Sequence, residues 1–169
     1  MSKLGSTMQL KAGAAKGLRV ALVTAAFNAA YTRRLLKSAK AKLLALGAKS
    51  GDLVETWVPG AFELPLAAQA QALSGRYDAV ITLGCVIRGD TSHYDLVCES
   101  AAQGVLQAGL HSGVPVLFGV ITCENERQAL ARCNGGKQDA GRHAAEAAVH
   151  MAHYLRSIKA PKRRQKKGK

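Results

Sequence analysis

The run Arg88-Gly89-Asp90-Thr91-Ser92-His93 holds the residue types needed to bind a phosphate and move a proton. It follows a long apolar run, Tyr77 to Ile87, and precedes helical periodicity through Leu96, Val97 and Val105 to about Leu110. A strand, a glycine turn and a helix start in that order point the free N–H groups of the first helical turn outward, which makes an anion site. Thr91 and Ser92 add hydroxyl donors, whereas the Asp90 carboxylate opposes an anion unless it points away. The same residues also read as an ordinary helix cap by Asp90 or Thr91. His93, one turn inside the helix, is a candidate general acid–base, a role worth about 10²–10⁴-fold in rate.

Two further residues could do chemistry. Glu63 follows Pro59-Gly60-Ala61-Phe62 at another helix start. Its carboxylate either caps that helix or accepts hydrogen bonds from a polyhydroxy or amine substrate. Phe27 ends the first apolar run and either packs at the edge of the core or offers a ring face to a flat heterocycle. His111, His143, His150 and His153 have no partner spacing and read as structural or solvated.

These residues need elements to position them. Leu18 to Phe27 is a continuous apolar run, as expected of a strand buried on both faces. Asn28 then suits an N-cap, and Tyr31, Leu35, Ala39 and Leu43 recur at helical spacing until Gly47. Leu53 to Val58 reads as a short strand and Phe62 to Leu73 as a helix. Tyr77 to Ile87 and Pro115 to Ile121 are further strands. Thr122 is placed to cap a short helix ending at Arg132, and a last helix runs from about Gly141 to Ile158. This alternation predicts an α/β fold, a parallel sheet with helices on both faces. In such sheets ligands bind outside the carboxyl ends of the strands, where Phe27, Glu63 and the 84–93 junction all fall.

Several classes are disfavoured. No GxGxxG or Walker-type glycine loop is present, and no GxSxG elbow. No run of about 18 apolar residues could cross a membrane. The first eleven residues lack a secretory pattern. The chain is acid-poor up to Asp52, as targeting leaders are, but a strand beginning by Leu18 leaves little room for one. Cys85, Cys98, Cys123 and Cys133 have neither CxxC nor metal-ligand spacing, so they read as reduced thiols of a cytoplasmic protein, with no metal.

The 169 residues suit one domain with a 48% apolar composition able to form a core. The net charge is +13, and Lys159, Lys162, Arg163, Arg164, Lys166, Lys167 and Lys169 supply seven of those positive charges with no acid among them. The expected organisation is a loose arm over 1–17 with a short strand near Met8 to Leu10, a domain over 18–158, and a disordered basic tail over 159–169. Such a tail binds nucleic acid only non-specifically, and no aromatic residue interleaves its cations.

Together these junctions resemble the 6,7-dimethyl-8-ribityllumazine synthase family. The resemblance is carried by Phe27-Asn28, Val58-Pro-Gly-Ala-Phe-Glu-Leu-Pro-Leu-Ala-Ala68, Gly84-Cys-Val-Ile-Arg-Gly-Asp-Thr-Ser-His-Tyr-Asp-Leu-Val97 and the run from Pro115 to Arg132. It covers about residues 18–156. It implies a flavodoxin-like three-layer α/β/α sandwich with a four-stranded parallel sheet. It also implies rings of five subunits with active sites between neighbours, in many members twelve rings forming a shell, and riboflavin synthase as a further partner. The implied reaction condenses 5-amino-6-(D-ribitylamino)uracil with 3,4-dihydroxy-2-butanone 4-phosphate, without cofactor or metal.

By the same resemblance, His93 transfers protons and Phe27 stacks on the pyrimidine. Ala61 and Glu63 hold the ribityl chain, and the main chain at Cys85, Val86 and Ile87 reads the ring edge. Gly89, Asp90 and Thr91 bind the phosphate. Arg132 of the adjacent subunit pairs with that phosphate, and Phe118 of that subunit closes the ring pocket. One departure stands out: many relatives have Asn-Lys-Gly before the last helix, where this chain has Asp139-Ala140-Gly141, leaving Lys137 or Arg142 to replace the lysine. The alternative reading is a non-catalytic relative that binds flavin or lumazine, or a shell whose basic tail engages polyanions.

Overall fold

The computed structural model describes residues 9–159. Four parallel strands, β1 (Val20–Ala25), β2 (Leu53–Val58), β3 (Ala79–Ile87) and β4 (Val116–Cys123), form one sheet in the order β2-β1-β3-β4. Five α-helices accompany them: α1 (Ala29–Ala45), α2 (Leu64–Leu73), α3 (His93–Ser112), α4 (Glu126–Ala131) and α5 (Ala140–Lys159). The central strand β1 is buried along its whole length, which explains its apolar run, interrupted only by Thr24. The edge strand β2 alternates between inner and outer residues.

The two faces carry separate cores. On one, α1 and α5 pack over Val20, Leu22, Ile81, Leu83 and Ile121. On the other, α2 and α3 cover Ala21, Val23, Val80 and Val120. Odd and even strand residues therefore face different helices, giving the expected α/β/α sandwich. Glu146 on α5 ties α5 to α1 through Lys42 (2.8 Å) and also meets Arg142 (3.4 Å). Burial raises the Glu146 carboxyl, but the two cations outweigh it and hold it below the ordinary range.

The α1–α5 crossing depends on Gly141. A Cβ there would fall on the carbonyl oxygen of Leu35, a backbone atom that cannot swing aside. Gly141→Ala is expected to lower stability by about 1–3 kcal/mol, read from the denaturant midpoint. Gly51→Ala, where a Cβ meets nothing within 4 Å, is expected to stay within about 0.5 kcal/mol of the parent.

Several expectations are corrected at the element ends. The first strand spans only Val20–Ala25, because Leu18 belongs to a turn and Ala26 and Phe27 donate to the Val58 and Pro59 carbonyls beyond it. Residues 12–17 are not loose: they form turns in which Ala15 is fully buried and donates to the Leu46 carbonyl at 2.8 Å. Gln9 and Leu10 form no strand, and Met8 lies outside the described residues. The segment from Phe62 opens as a single 3₁₀ turn, Ala61–Glu63, before α2. Asn125, not Thr122, caps α4, its side chain accepting from the Gln128 N–H at 3.0 Å. The last helix begins at Ala140 and runs through Lys159; the tail beyond it lies outside the described residues.

Candidate active site

The strand order brings the exits of β2, β1 and β3 side by side at one end of the sheet. Phe27 leaves the middle of these three. Its N–H donates to the Pro59 carbonyl at 2.9 Å, while the next residue, Asn28, sends its side-chain amide to the Cys85 carbonyl at 2.9 Å. Asn28 holds a left-handed backbone (φ 59°) and makes no side-chain cap, so its expected capping role is replaced by this bridge between the β1 and β3 exits. The Phe27 ring itself is 70% exposed, free for a planar ligand instead of packed at the edge of the core.

On the β2 side, Ala61 is buried and Glu63 is exposed. Glu63 stands at the start of α2 yet makes no side-chain cap bond. Its carboxylate instead lies over Gly60, where a Cβ would approach Oε2 to 3.1 Å. The capping reading of Glu63 is therefore not met.

On the β3 side, pairing with β1 stops at Leu83, whereas pairing with β4 continues to Ile87. The main-chain groups of Cys85 and Ile87 therefore face the β1 exit along an open edge, with the Cys85 carbonyl engaged by Asn28, whereas those of Val86 face β4, in step with the Val80 and Arg88 N–H bonds on that side. The Cys85 side chain is 2% exposed, and burial pushes its thiol up to about 12, so it offers packing, not a nucleophile. Burial raises the Cys98, Cys123 and Cys133 thiols as well, and all four cysteines are free.

Beyond Ile87, residues 88–92 form an exposed link into α3. Of the two expected caps, Asp90 makes none, whereas the Thr91 hydroxyl accepts from the His93 N–H at 3.4 Å; Ser92, next to the helix start, makes no side-chain cap bond. The main-chain N–H groups of Gly89, Asp90, Thr91 and Ser92 have no hydrogen-bond partner among the described residues. His93 is the first residue of α3, one turn earlier than its spacing predicts, and is exposed.

Phe118 and Arg132 lie elsewhere. They line a cleft of about 370 Å³ between β4 and α5, with Leu117, Gln138 and His143 among its walls. Neither Phe27, Glu63 nor His93 borders it. Phe118 is 42% exposed, and Arg132 Nη1 donates to the Gln128 carbonyl at 3.1 Å. Lys137 and Arg142 do not border the cleft; Arg142 faces Glu146 and a second cleft beside α1. His143, assigned no role from its spacing, shares the cleft with Arg132. No sequence signal announced this, because it depends on where α5 crosses β4. Among the described residues, no three His, Cys, Asp or Glu side chains group as a metal site. Nor is any helix there long and apolar enough to cross a membrane.

An exposed aromatic ring, a carboxylate, an open strand edge and a helix start with unpartnered amides gather at the exits of a parallel sheet, the place where α/β enzymes bind their ligands. A sequence-family model described as 6,7-dimethyl-8-ribityllumazine synthase matches residues 17–156. The chain belongs to that family, and its fold is the flavodoxin-like sandwich expected of it. It is a transferase of riboflavin biosynthesis, joining 5-amino-6-(D-ribitylamino)uracil to 3,4-dihydroxy-2-butanone 4-phosphate. Nothing among the described residues favours the non-catalytic alternative.

Proposed function

We propose that each active site is completed by two subunits, one contributing Phe27, Ala61, Glu63, the 85–91 main chain and His93, its neighbour contributing Phe118 and Arg132. The observation that carries this reading is the split within one chain: the cleft holding Phe118 and Arg132 is bordered by none of Phe27, Glu63 and His93. The second support is apolar surface. Leu66 and Leu73 on α2 and Leu106 and Leu110 on α3 are each more than half exposed, an arrangement that favours burial against another subunit.

In this reading the pyrimidine stacks on Phe27 under the neighbour's Phe118, and the ribityl hydroxyls donate to Glu63. The open edge at Cys85 and Ile87, on either side of Val86, pairs with the ring's polar atoms. The phosphate rests on the Gly89, Asp90 and Thr91 amides and the Thr91 hydroxyl, facing Arg132. The pyrimidine's amine attacks the ketone, and loss of water gives an imine. Elimination then breaks the C–O bond to phosphate as a carbon-bound proton is removed. Ring closure by the ribitylamino nitrogen releases a second water. His93 carries protons between these steps, and most of the acceleration comes from holding two reactants in register.

The proposed assembly is a ring of five, with twelve rings forming a shell as its larger form, in the cytoplasm and with riboflavin synthase as a partner. The basic tail 159–169 is proposed to meet nucleic acid only non-specifically. Native mass measurement tests the shared site. A multiple of five chains of 17.8 kDa is expected, and an active species of single-chain mass would contradict it.

A further inference from the structure

Arg88 stands between the β3 edge and the 89–92 link, and three side chains hold its guanidinium. Nη1 and Nη2 donate to the two carboxylate oxygens of Asp95 on α3 at 3.1 and 2.9 Å. Nε donates to Glu124, just past β4, at 2.8 Å. The guanidinium also lies 4.0 Å from the centroid of the Tyr94 ring. Its main-chain N–H adds one more rung to the β3–β4 ladder, donating to the Cys123 carbonyl at 2.9 Å. Hydrogen bonding to Arg88 holds the Asp95 carboxyl below its ordinary range.

These side chains are partly exposed, at 37% for Arg88, 59% for Asp95 and 55% for Glu124. Exposed ion pairs add little to global stability. What this one can do is local. It joins the two ends of a link whose own amides have no internal partners, so the link's shape is set from outside. A planar fork gripping both oxygens of Asp95 fixes direction as well as distance, which a lysine could not do.

We propose that Arg88 is a positioning residue for phosphate recognition: clamped by Asp95, Glu124 and Tyr94, it sets the spacing between the β3 exit and α3 that aims the 89–91 amides at the phosphorylated substrate. This rests on the reading of those amides as the phosphate site. Arg88 touches no substrate in this scheme.

The test compares Arg88→Lys, Asp95→Asn and their double variant in the full assembly, with steady-state kinetics in each substrate and thermal unfolding. Arg88→Lys is expected to raise KM for 3,4-dihydroxy-2-butanone 4-phosphate about tenfold, as a slightly misaimed site would, with KM for the pyrimidine unchanged within about twofold. The melting temperature should barely move. Asp95→Asn should do the same, and the double variant no more than either alone, since both act through one clamp. An equal rise in both KM values, a large fall in melting temperature or additive effects would show a merely structural residue and overturn the proposal. Arg132→Ala and Thr91→Val separate the two readings. If they raise KM for the phosphorylated substrate while Arg88→Lys does not, only the positioning role fails. If none of the three variants raises it, the phosphate assignment fails, and this inference with it.

Discussion

His93→Ala is expected to lower kcat by about 10²–10⁴-fold, the range for removing a general acid–base, with KM for both substrates little altered. The structure makes this a clean substitution. His93 is exposed, and its side chain has no hydrogen-bond or ion-pair partner among the described residues. It opens α3 without carrying a cap, so alanine removes the imidazole and leaves the helix start intact. Unfolding midpoints within about 0.5 kcal/mol of the parent are expected. A rate near that of the parent would assign proton transfer to another group or to water.

The second large effect falls on one substrate. Arg132→Ala is expected to raise KM for the butanone phosphate by roughly 10–100-fold, the loss of a charge-assisted hydrogen bond worth about 1.5–3 kcal/mol. KM for the pyrimidine should change little. Arg132 Nη1 also donates to the Gln128 carbonyl within α4, so a second variant separates that bond from phosphate binding. Arg132→Lys keeps the charge but not the fork. It is expected to recover only part of the affinity. Equal KM values for parent and Arg132→Ala enzymes would remove this arginine from the phosphate site.

Much of this arrangement is legible in the residues. The largely apolar character of β1 and β3, broken only by the buried Thr24 and Thr82, announces strands buried on both faces, and that fixes the sandwich and directs attention to the carboxyl ends of its strands. The residues of the β2, β1 and β3 exits fall where their spacing places them. Helix starts are harder to read. Asn28 has the chemistry of a cap, yet it is more useful bridging to Cys85, a residue 57 positions away that no local pattern connects to it. Asp90 likewise looks like a cap, but only the Thr91 hydroxyl bonds the helix start, and Arg88 binds across the link to Asp95. The turn at 12–17 reads as a loose arm because its partners, Leu46, His153 and Asp78 through Arg156 to Gly17, come from distant parts of the chain. His143 escaped for the same reason: only the packing of α5 against β4 puts it beside Arg132. Each miss is a side chain whose partner is set by tertiary contact, where propensity carries no information.

The central claim is that one catalytic centre draws His93 and Arg132 from different chains. Co-assembling His93→Ala and Arg132→Ala subunits in equal amounts tests it most directly. Each variant alone is nearly inactive at a subsaturating concentration of the phosphorylated substrate. If the centre is shared, random mixing leaves roughly one interface in four with both native residues, so about a quarter of parental activity should return. If both residues served the same chain's centre, no mixed assembly would contain an intact one. Activity would then stay at the level of the separate variants, contradicting the account.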